Sequence, residues 1–448
     1  MGAGGYVSLT NGTPYFFKLR KQGNLNMNHA TWPDTVPPFK SSRHYMEFDD
    51  TPFRAGTDET WALYDIEGTP ENFYVRLDHR KGYNQFSVQM SSPILVTAPA
   101  SKIIDQGWIQ NRGEDMSLRA YFNGTVIIIS GVGPFAVSAP GEGSGAWMSM
   151  SLGWLGTRSL RRICMPGTHN SGVTKSSVKV SSIIVPPTAV ICQSGSIWEQ
   201  LRWGARYFDI RPAYSNKLGF HTGHYQADKK LGGGGQSIED IVNNVNDFLK
   251  YNPELVILSV THDYDMENSY EHFQPERWVG LLAALDRLEY RFTASTETDL
   301  SQLTLNDLIG NGRGAVVVTF ERRAFDYLGA KAGQGYFYSD KLGVYDFYSE
   351  TADVSEIMRD QFAKMREVRK NPHCRMFSLG WAQTPGIIDI INLHDLCEWG
   401  RYTMAPRLGS ELIPNCTDQT YPNILNLDGV EGTFVMAAAM AINAMAAK

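Results

Sequence analysis

Cysteine is scarce in this chain, and its spacing excludes the usual structural roles. Five occur in 448 residues, Cys164, Cys192, Cys374, Cys397 and Cys416, and none lies in the first 163 positions. The count is odd and no C-x-x-C pair exists, so neither a disulfide framework nor a zinc site is indicated; reduced, mostly buried thiols are expected. A basic excess is missing too. Lys and Arg number 41 against 47 Asp and Glu, a net charge of -6. That argues against general nucleic-acid binding, which needs a basic face, and leaves a lipid surface open, where local charge matters more than the total. No apolar run reaches the ~20 residues that span a bilayer, so no transmembrane segment is expected. The apolar tail Val435-Met436-Ala437-Ala438-Ala439-Met440-Ala441-Ile442 reads as a terminal helix packed on the body. The start, Met1 to Tyr6, has no basic stretch or apolar core and lacks the sixth-position Ser or Thr of a myristoylation signal. A cytoplasmic or peripheral-membrane location is therefore expected, with export by a route without a signal peptide left open. Asn11-Gly12-Thr13, Asn123-Gly124-Thr125 and Asn415-Cys416-Thr417 would be glycosylation acceptors in a secreted protein, and the first two double as turns.

What is present fits a soluble protein with large cores: 42% apolar, 20% charged and 12% aromatic residues. The length implies about two or three domains. Residues 1–140 read as an all-β sandwich of unknown role. Short β-rich runs recur at Tyr6–Leu9, Tyr15–Leu19, Tyr45–Phe48, Trp61–Ile66, Phe73–Leu77, Phe86–Met90, Leu118–Phe122 and Val126–Ile129. Asn11-Gly12 and Asn123-Gly124 are hairpin signals between neighbouring runs. Residues 141–150 form a Gly-rich linker. From 151 to 448 strands alternate with helices. Apolar runs at Arg161–Met165, Tyr207–Ile210, Leu218–Phe220, Leu255–Val260, Ala315–Phe320, Met376–Leu379 and Ile424–Leu427 are separated by amphipathic stretches. Of these, Ser237-Ile238-Glu239-Asp240 opens a helix with a stripe of Ile238, Ile241, Val242, Val245, Phe248 and Leu249, and Pro275–Leu288 and Val354–Val368 are further helices. The fold class is α/β: a distorted TIM-type (β/α) barrel preceded by a β-sandwich.

The runs end in chemistry. The first delivers His169 and Asn170. The second contains Asp209 and delivers Arg211. The third gives His221-Thr222-Gly223-His224, the fourth Thr261-His262-Asp263, the fifth Glu321-Arg322-Arg323, the sixth Trp381 and the last Asp428. Polar groups gathered at one end of a parallel barrel are the usual plan of an active site. Two imidazoles, a guanidinium and carboxylates suit acid/base attack on a phosphate ester. Glu321, Arg322 and Arg323 read as a solvated rim and His262 as structural.

Four segments in order, Pro166–Gly172, Gln200–Pro212, Gly223-His224-Tyr225 and Val256–Val260, joined by Tyr421–Asp428, resemble the catalytic X domain of phosphatidylinositol-specific phospholipases C. The resemblance spans roughly residues 150–445 and leaves 1–140 outside. It implies cleavage of phosphatidylinositol or a glycosylated relative to diacylglycerol and a cyclic inositol phosphate, at a membrane surface. His169 is then the general base on the inositol 2-hydroxyl, and His224, with His221 as rival, the acid that protonates the leaving oxygen. Arg211 stabilises the phosphoryl oxygens, and Asp428 orients His169. Asn170, Asp209, Asp263 and Trp381 are the expected substrate contacts. No cofactor is expected. Arg211 stands where a calcium-dependent relative would want a carboxylate, so the chain is more similar to the metal-independent bacterial type, although that type carries Asp where Asn170 stands. A non-catalytic lipid- or sugar-binding barrel and a phosphodiesterase of non-lipid substrates are the alternatives. The apolar loop Val178–Pro187, continued by Val190-Ile191, is a candidate for dipping into a membrane interface or for folding over the barrel.

Overall fold

The computed structural model describes residues 3–49, 58–80, 83–91, 108–109, 123–138, 145–180, 186–385, 395–432 and 434–446. It forms two compact units. One is Met1–Ser144 with Pro406–Asp418 and Gly432–Lys448; the other is Gly145–Ala405 with Gln419–Glu431. The later segments of the first unit return to it from far along the sequence, which a single cut at 141–150 does not anticipate. The linker itself ends early, since Trp147–Met150 is helical and Trp147 is buried.

Among the described residues the first unit is a sandwich of a five-stranded and a six-stranded sheet. Their inner faces share one core, with Val7, Leu9, Met46, Ile127 and Ile129 from one sheet and Phe17, Tyr64, Phe73, Val75 and Leu77 from the other. Each such side chain contributes on the order of 1.5–3 kcal/mol on burial. Strand Asp58–Ile66 alternates strictly between buried and half-buried positions, the period of a strand with one face inside.

The hairpin read from Asn11-Gly12 does not form. Asn11 and Gly12 close strand Ala3–Gly12, which pairs with Asn123–Ser130 and Ser41–Phe48, while the next strand, Phe17–Leu25, joins the opposite sheet. Asn11 is fully buried, and its amide donates to the carbonyls of Tyr15 and Val36. It is thus a corner residue, not a glycosylation acceptor. Asn123-Gly124 lies within a strand; the preceding run 118–122 lies outside the described residues. The apolar tail is the helix Phe434–Met445, buried on all sides and part of this unit.

The second unit is built on an eight-stranded parallel sheet. Its strands are β1 (Met165–Thr168), β2 (Tyr207–Ile210), β3 (Leu255–Val260), β4 (Ala315–Phe320), β5 (Tyr336–Tyr338), β6 (Val344–Asp346), β7 (Met376–Trp381) and β8 (Ile424–Leu427). The spatial order is β5-β4-β3-β2-β1-β8-β7-β6, all neighbours parallel. This is the order of a curled (β/α) barrel, with no pairing between β5 and β6 among the described residues. β3, β4 and β7 are buried at every position, as expected when helices cover the outer face. Helix Ile238–Leu249 buries all six residues of its predicted stripe, and its first turn is capped by Ser237 Oγ accepting from the Asp240 N–H. Among the described residues no helix is long and apolar enough to cross a membrane.

Leu218–Phe220 is not a barrel strand. β2 runs on into an antiparallel sheet in which Pro212–Ser215, Gly219–Gln226 and Leu231–Ser237 are successive strands. This excursion lies between β2 and its helix. It docks on the loop after β1: the Gln236 N–H donates to the Gly172 carbonyl, and a Cβ on Gly235 would lie 2.2 Å from that oxygen.

Asn423, just before β8, stitches the start of the barrel together. Its amide nitrogen donates to the carbonyls of Leu160, Arg161 and Ile163, and its oxygen accepts from the Phe377 N–H. All are buried or nearly so, and Ala offers none of these partners. Asn423→Ala is expected to cost roughly 2–4 kcal/mol in denaturant unfolding, because the Ile163 carbonyl and the Phe377 N–H lose their side-chain partner at once. A loss below about 1 kcal/mol would mean that water satisfies these groups instead.

Candidate active site

The site lies at the carboxyl ends of the parallel strands, where residues following β1, β2, β6 and β8 converge. His169 leaves β1 with its N–H donating to the Leu427 carbonyl. Its Nδ1 lies 2.8 Å from Asp428 Oδ1, and Asp428 is almost fully buried. The carboxylate thus holds the ring from behind. The ring of His224 stands edge-on to it, 6.3 Å away centroid to centroid, at 78°. Tyr348, just past β6, packs its ring 5.1 Å from that of His169.

Arg211 follows β2. Its Nε and a terminal nitrogen both lie 2.9 Å from Asp209 Oδ2. Asp209 also accepts from the Asn170 N–H and from Thr261 Oγ1. Burial alone would raise the Asp209 pKa, but the adjacent guanidinium, His169 and the Asn170 N–H outweigh it and hold the carboxyl well below the usual range. Burial likewise opposes the charge on Arg211, and Asp209 more than restores it. Asp209 therefore holds the cation in place, a role that competes with direct contact to substrate. Asn170 adopts a left-handed backbone, φ 45°, which Asn tolerates better than most residues. Its side chain is buried, and neither amide atom has a protein partner.

His224 has part of its surface open, yet burial first, then Arg211 and His169, draws its pKa down to about 3. Its Nδ1 lies 3.2 Å from the Val190 carbonyl and 3.5 Å from Cys192 Sγ. His221 is placed differently. It is buried, with Nδ1 on the Gly219 carbonyl and Nε2 3.3 Å from Tyr225 Oη. The structure therefore brings His224, and not His221, to His169.

Two further expectations meet a different arrangement. Asp263 accepts from the Phe273 N–H and from Arg323, and is nearly fully buried. Trp381 is fully buried and donates its Nε1–H to the Met404 carbonyl, with Phe362 against its face. Both are occupied within the barrel wall, so neither is presented as a substrate contact. His262 sits at φ 47° with its pKa lowered by burial and Arg211. The central part of the apolar loop, 181–185, lies outside the described residues.

Several residues at the site are missed by sequence reasoning. Gln193 donates to the carbonyls of His169 and Leu427 and accepts from the Val430 N–H, tying the loops after β1 and β8 together. Asp346 ends β6 with one oxygen buried and unpartnered; burial, then the charge of Asp209, raises its pKa to about 6. Tyr348 accepts a hydrogen bond from the Asn426 amide. Cys192 is buried within reach of the pair: an imidazole nitrogen of His169, Cys192 Sγ and an Asp428 oxygen all lie within 4.8 Å of one another. A Tyr-rich stretch, Tyr345-Asp346-Phe347-Tyr348, was the available signal for β6 and its tip.

No family model matches the chain, and no curated protein matches it. Solved structures of phosphatidylinositol-specific phospholipase C from Staphylococcus aureus are similar to it at low identity. A mutant form aligns at 14% identity and a TM-score of 0.46, covering 66% of this chain and 97% of that one. A form containing pentafluoro-phenylalanine aligns at 15% identity and 0.45 over the same shares. At that identity and score the likeness decides nothing about what this chain does.

Proposed function

We propose that the barrel cleaves a phosphodiester without a metal ion, acting on phosphatidylinositol or a glycosylated relative at a membrane surface. The observation that carries this reading is the facing pair of imidazoles, 6.3 Å apart, one of them backed by the buried carboxylate of Asp428. His169, oriented by Asp428, takes the proton of the inositol 2-hydroxyl. The freed oxygen attacks phosphorus, and the bond to the diacylglycerol oxygen breaks as His224 supplies its proton. The products are diacylglycerol and a cyclic inositol phosphate. Arg211 spreads charge from the phosphoryl oxygens, worth several kcal/mol in a water-poor site (roughly 2.7–4 kcal/mol per donor elsewhere). Tyr348, whose ring packs on that of His169, and Asp346, two residues before it, are the polar groups that would partner hydroxyls of a head group.

The lowered pKa of His224 keeps it neutral in the free protein. An anionic phosphodiester beside it offsets the field of Arg211 and favours the imidazolium. The acid is thus charged by its own substrate, which limits wasteful proton exchange before binding.

Phosphorus NMR of phosphatidylinositol vesicles, run with excess chelator, tests the reading. A cyclic phosphate resonance that grows with protein is expected. An unchanged spectrum with retained vesicle binding would instead make the barrel a binding module, and turnover only of soluble phosphodiesters would move the substrate away from lipid.

A further inference from the structure

Cys192 has no task in the proposed reaction, yet it is fixed at the floor of the site. Its N–H donates to the Val173 carbonyl and its carbonyl accepts from the Gly429 N–H. The side chain is fully buried. Its sulfur, an imidazole nitrogen of His169 and an Asp428 oxygen form a triangle no wider than 4.8 Å, and His224 Nδ1 lies 3.5 Å from the same sulfur. Bond lengths of about 2.0–2.3 Å place the donors of a tetrahedral zinc ion roughly 3.3–3.8 Å apart. Modest side-chain rotations close that difference.

The donor types select the ion. One thiolate, one imidazole and one carboxylate match zinc and its neighbours, whereas calcium and magnesium want oxygen alone. Two anionic donors balance a divalent charge. Arg211 is nearby and paired with Asp209, which offsets part of its repulsion of the ion. Burial keeps the Cys192 thiol protonated in the free protein; binding replaces the S–H bond with a sulfur–metal bond and releases that proton to solvent.

We propose that His169, Cys192 and Asp428 form a site for a zinc-like divalent ion, and that this ion switches the barrel off. The ion occupies the base and the carboxylate that orients it, so catalysis and metal binding exclude each other. The inhibitory consequence rests on the phosphodiester reading; the binding site itself does not.

Cobalt(II) titration of the chelator-treated full chain tests the site without any assay of turnover. We expect a sulfur-to-cobalt charge-transfer band saturating at one equivalent, displaced by zinc, with about one proton released per ion bound. Cys192→Ser should abolish the band and Cys374→Ser should retain it. Asp428→Asn removes an anionic donor but no sulfur, and should keep the band with affinity lowered about tenfold or more. No band in the wild-type chain overturns the site, whatever the variants do, and so does a band that survives in folded Cys192→Ser. If the chain turns over phosphatidylinositol, zinc should suppress it and chelator restore it. Turnover that zinc leaves unchanged while cobalt binds at Cys192 overturns the switch, and the absence of any turnover strikes the phosphodiester reading alone.

Discussion

Replacing His169 by alanine is expected to lower phosphatidylinositol turnover by roughly 10²–10⁴-fold, the range of a positioned general base. His224→Ala should fall in the same range. The double variant should lose no more than about a further tenfold, because the two rings serve one proton relay and their effects do not add. His221→Ala should change turnover little, since its ring nitrogens are spent on Gly219 and Tyr225. The pH dependence separates acid from base. With His224 at about 3 in the free protein, its protonated fraction falls tenfold per pH unit above that value. The free-protein quantity kcat/KM therefore carries a falling factor across the neutral range. In the complex the phosphate raises the pKa of His224, so the falling limb of kcat should lie at higher pH than that of kcat/KM. Coincident limbs, or a large loss on His221→Ala with little on His224→Ala, would remove His224 from the role of acid.

The parts of this site that were legible in the sequence share one property. His169, Arg211 and Asp428 each follow a short, mostly apolar run, and a parallel strand buried on both faces leaves its chemistry at its tip. The same logic misassigned Leu218–Phe220, where an apolar triplet belongs to an antiparallel excursion, and overlooked Tyr336–Tyr338 and Val344–Asp346. Those two strands are three residues long and rich in Tyr, so they carry no apolar run to find. The choice between His221 and His224 was open because register decides it: the strand shifts register between His221 and Gly223, which no local pattern announces. Trp381 and Asp263 satisfied the rule of position yet are consumed by Met404 and by Arg323 and Phe273. Whether a tip residue faces the cavity or the wall is set by tertiary partners. Gln193 and Cys192 lay inside a stretch whose apolar loop drew attention to membranes, and their role follows only from which carbonyls and rings come within reach. In the sandwich, Asn11-Gly12 failed as a hairpin because the chain crosses to the other sheet there, a choice made by the shared core.

The largest effect on stability should come from Glu254, far from the chemistry. Its side chain and that of Arg206 are wholly inaccessible, with Arg206 Nε at 3.0 Å and a terminal nitrogen at 2.7 Å from Glu254 Oε2. The pair is also a splice. Arg206 donates to the carbonyls of Leu201, Ala205 and Gly145, and Glu254 accepts from the N–H groups of Met148 and Ser149. Glu254→Gln keeps the shape but leaves a buried guanidinium without its counter-charge, and should cost about 3–5 kcal/mol in equilibrium unfolding. In many proteins a buried ion pair can be replaced by apolar residues at little cost. Here that escape should fail. Arg206→Met with Glu254→Leu removes both charges but takes the side-chain partner from the Ala205 carbonyl and from the Met148 and Ser149 N–H groups, each costing about 1–3 kcal/mol if water cannot reach it. The double variant should therefore remain at least as unstable as Glu254→Gln. Recovery of wild-type stability in the double variant would show that the charges oppose folding and that the splice of the first helix onto β2 and β3 holds without them.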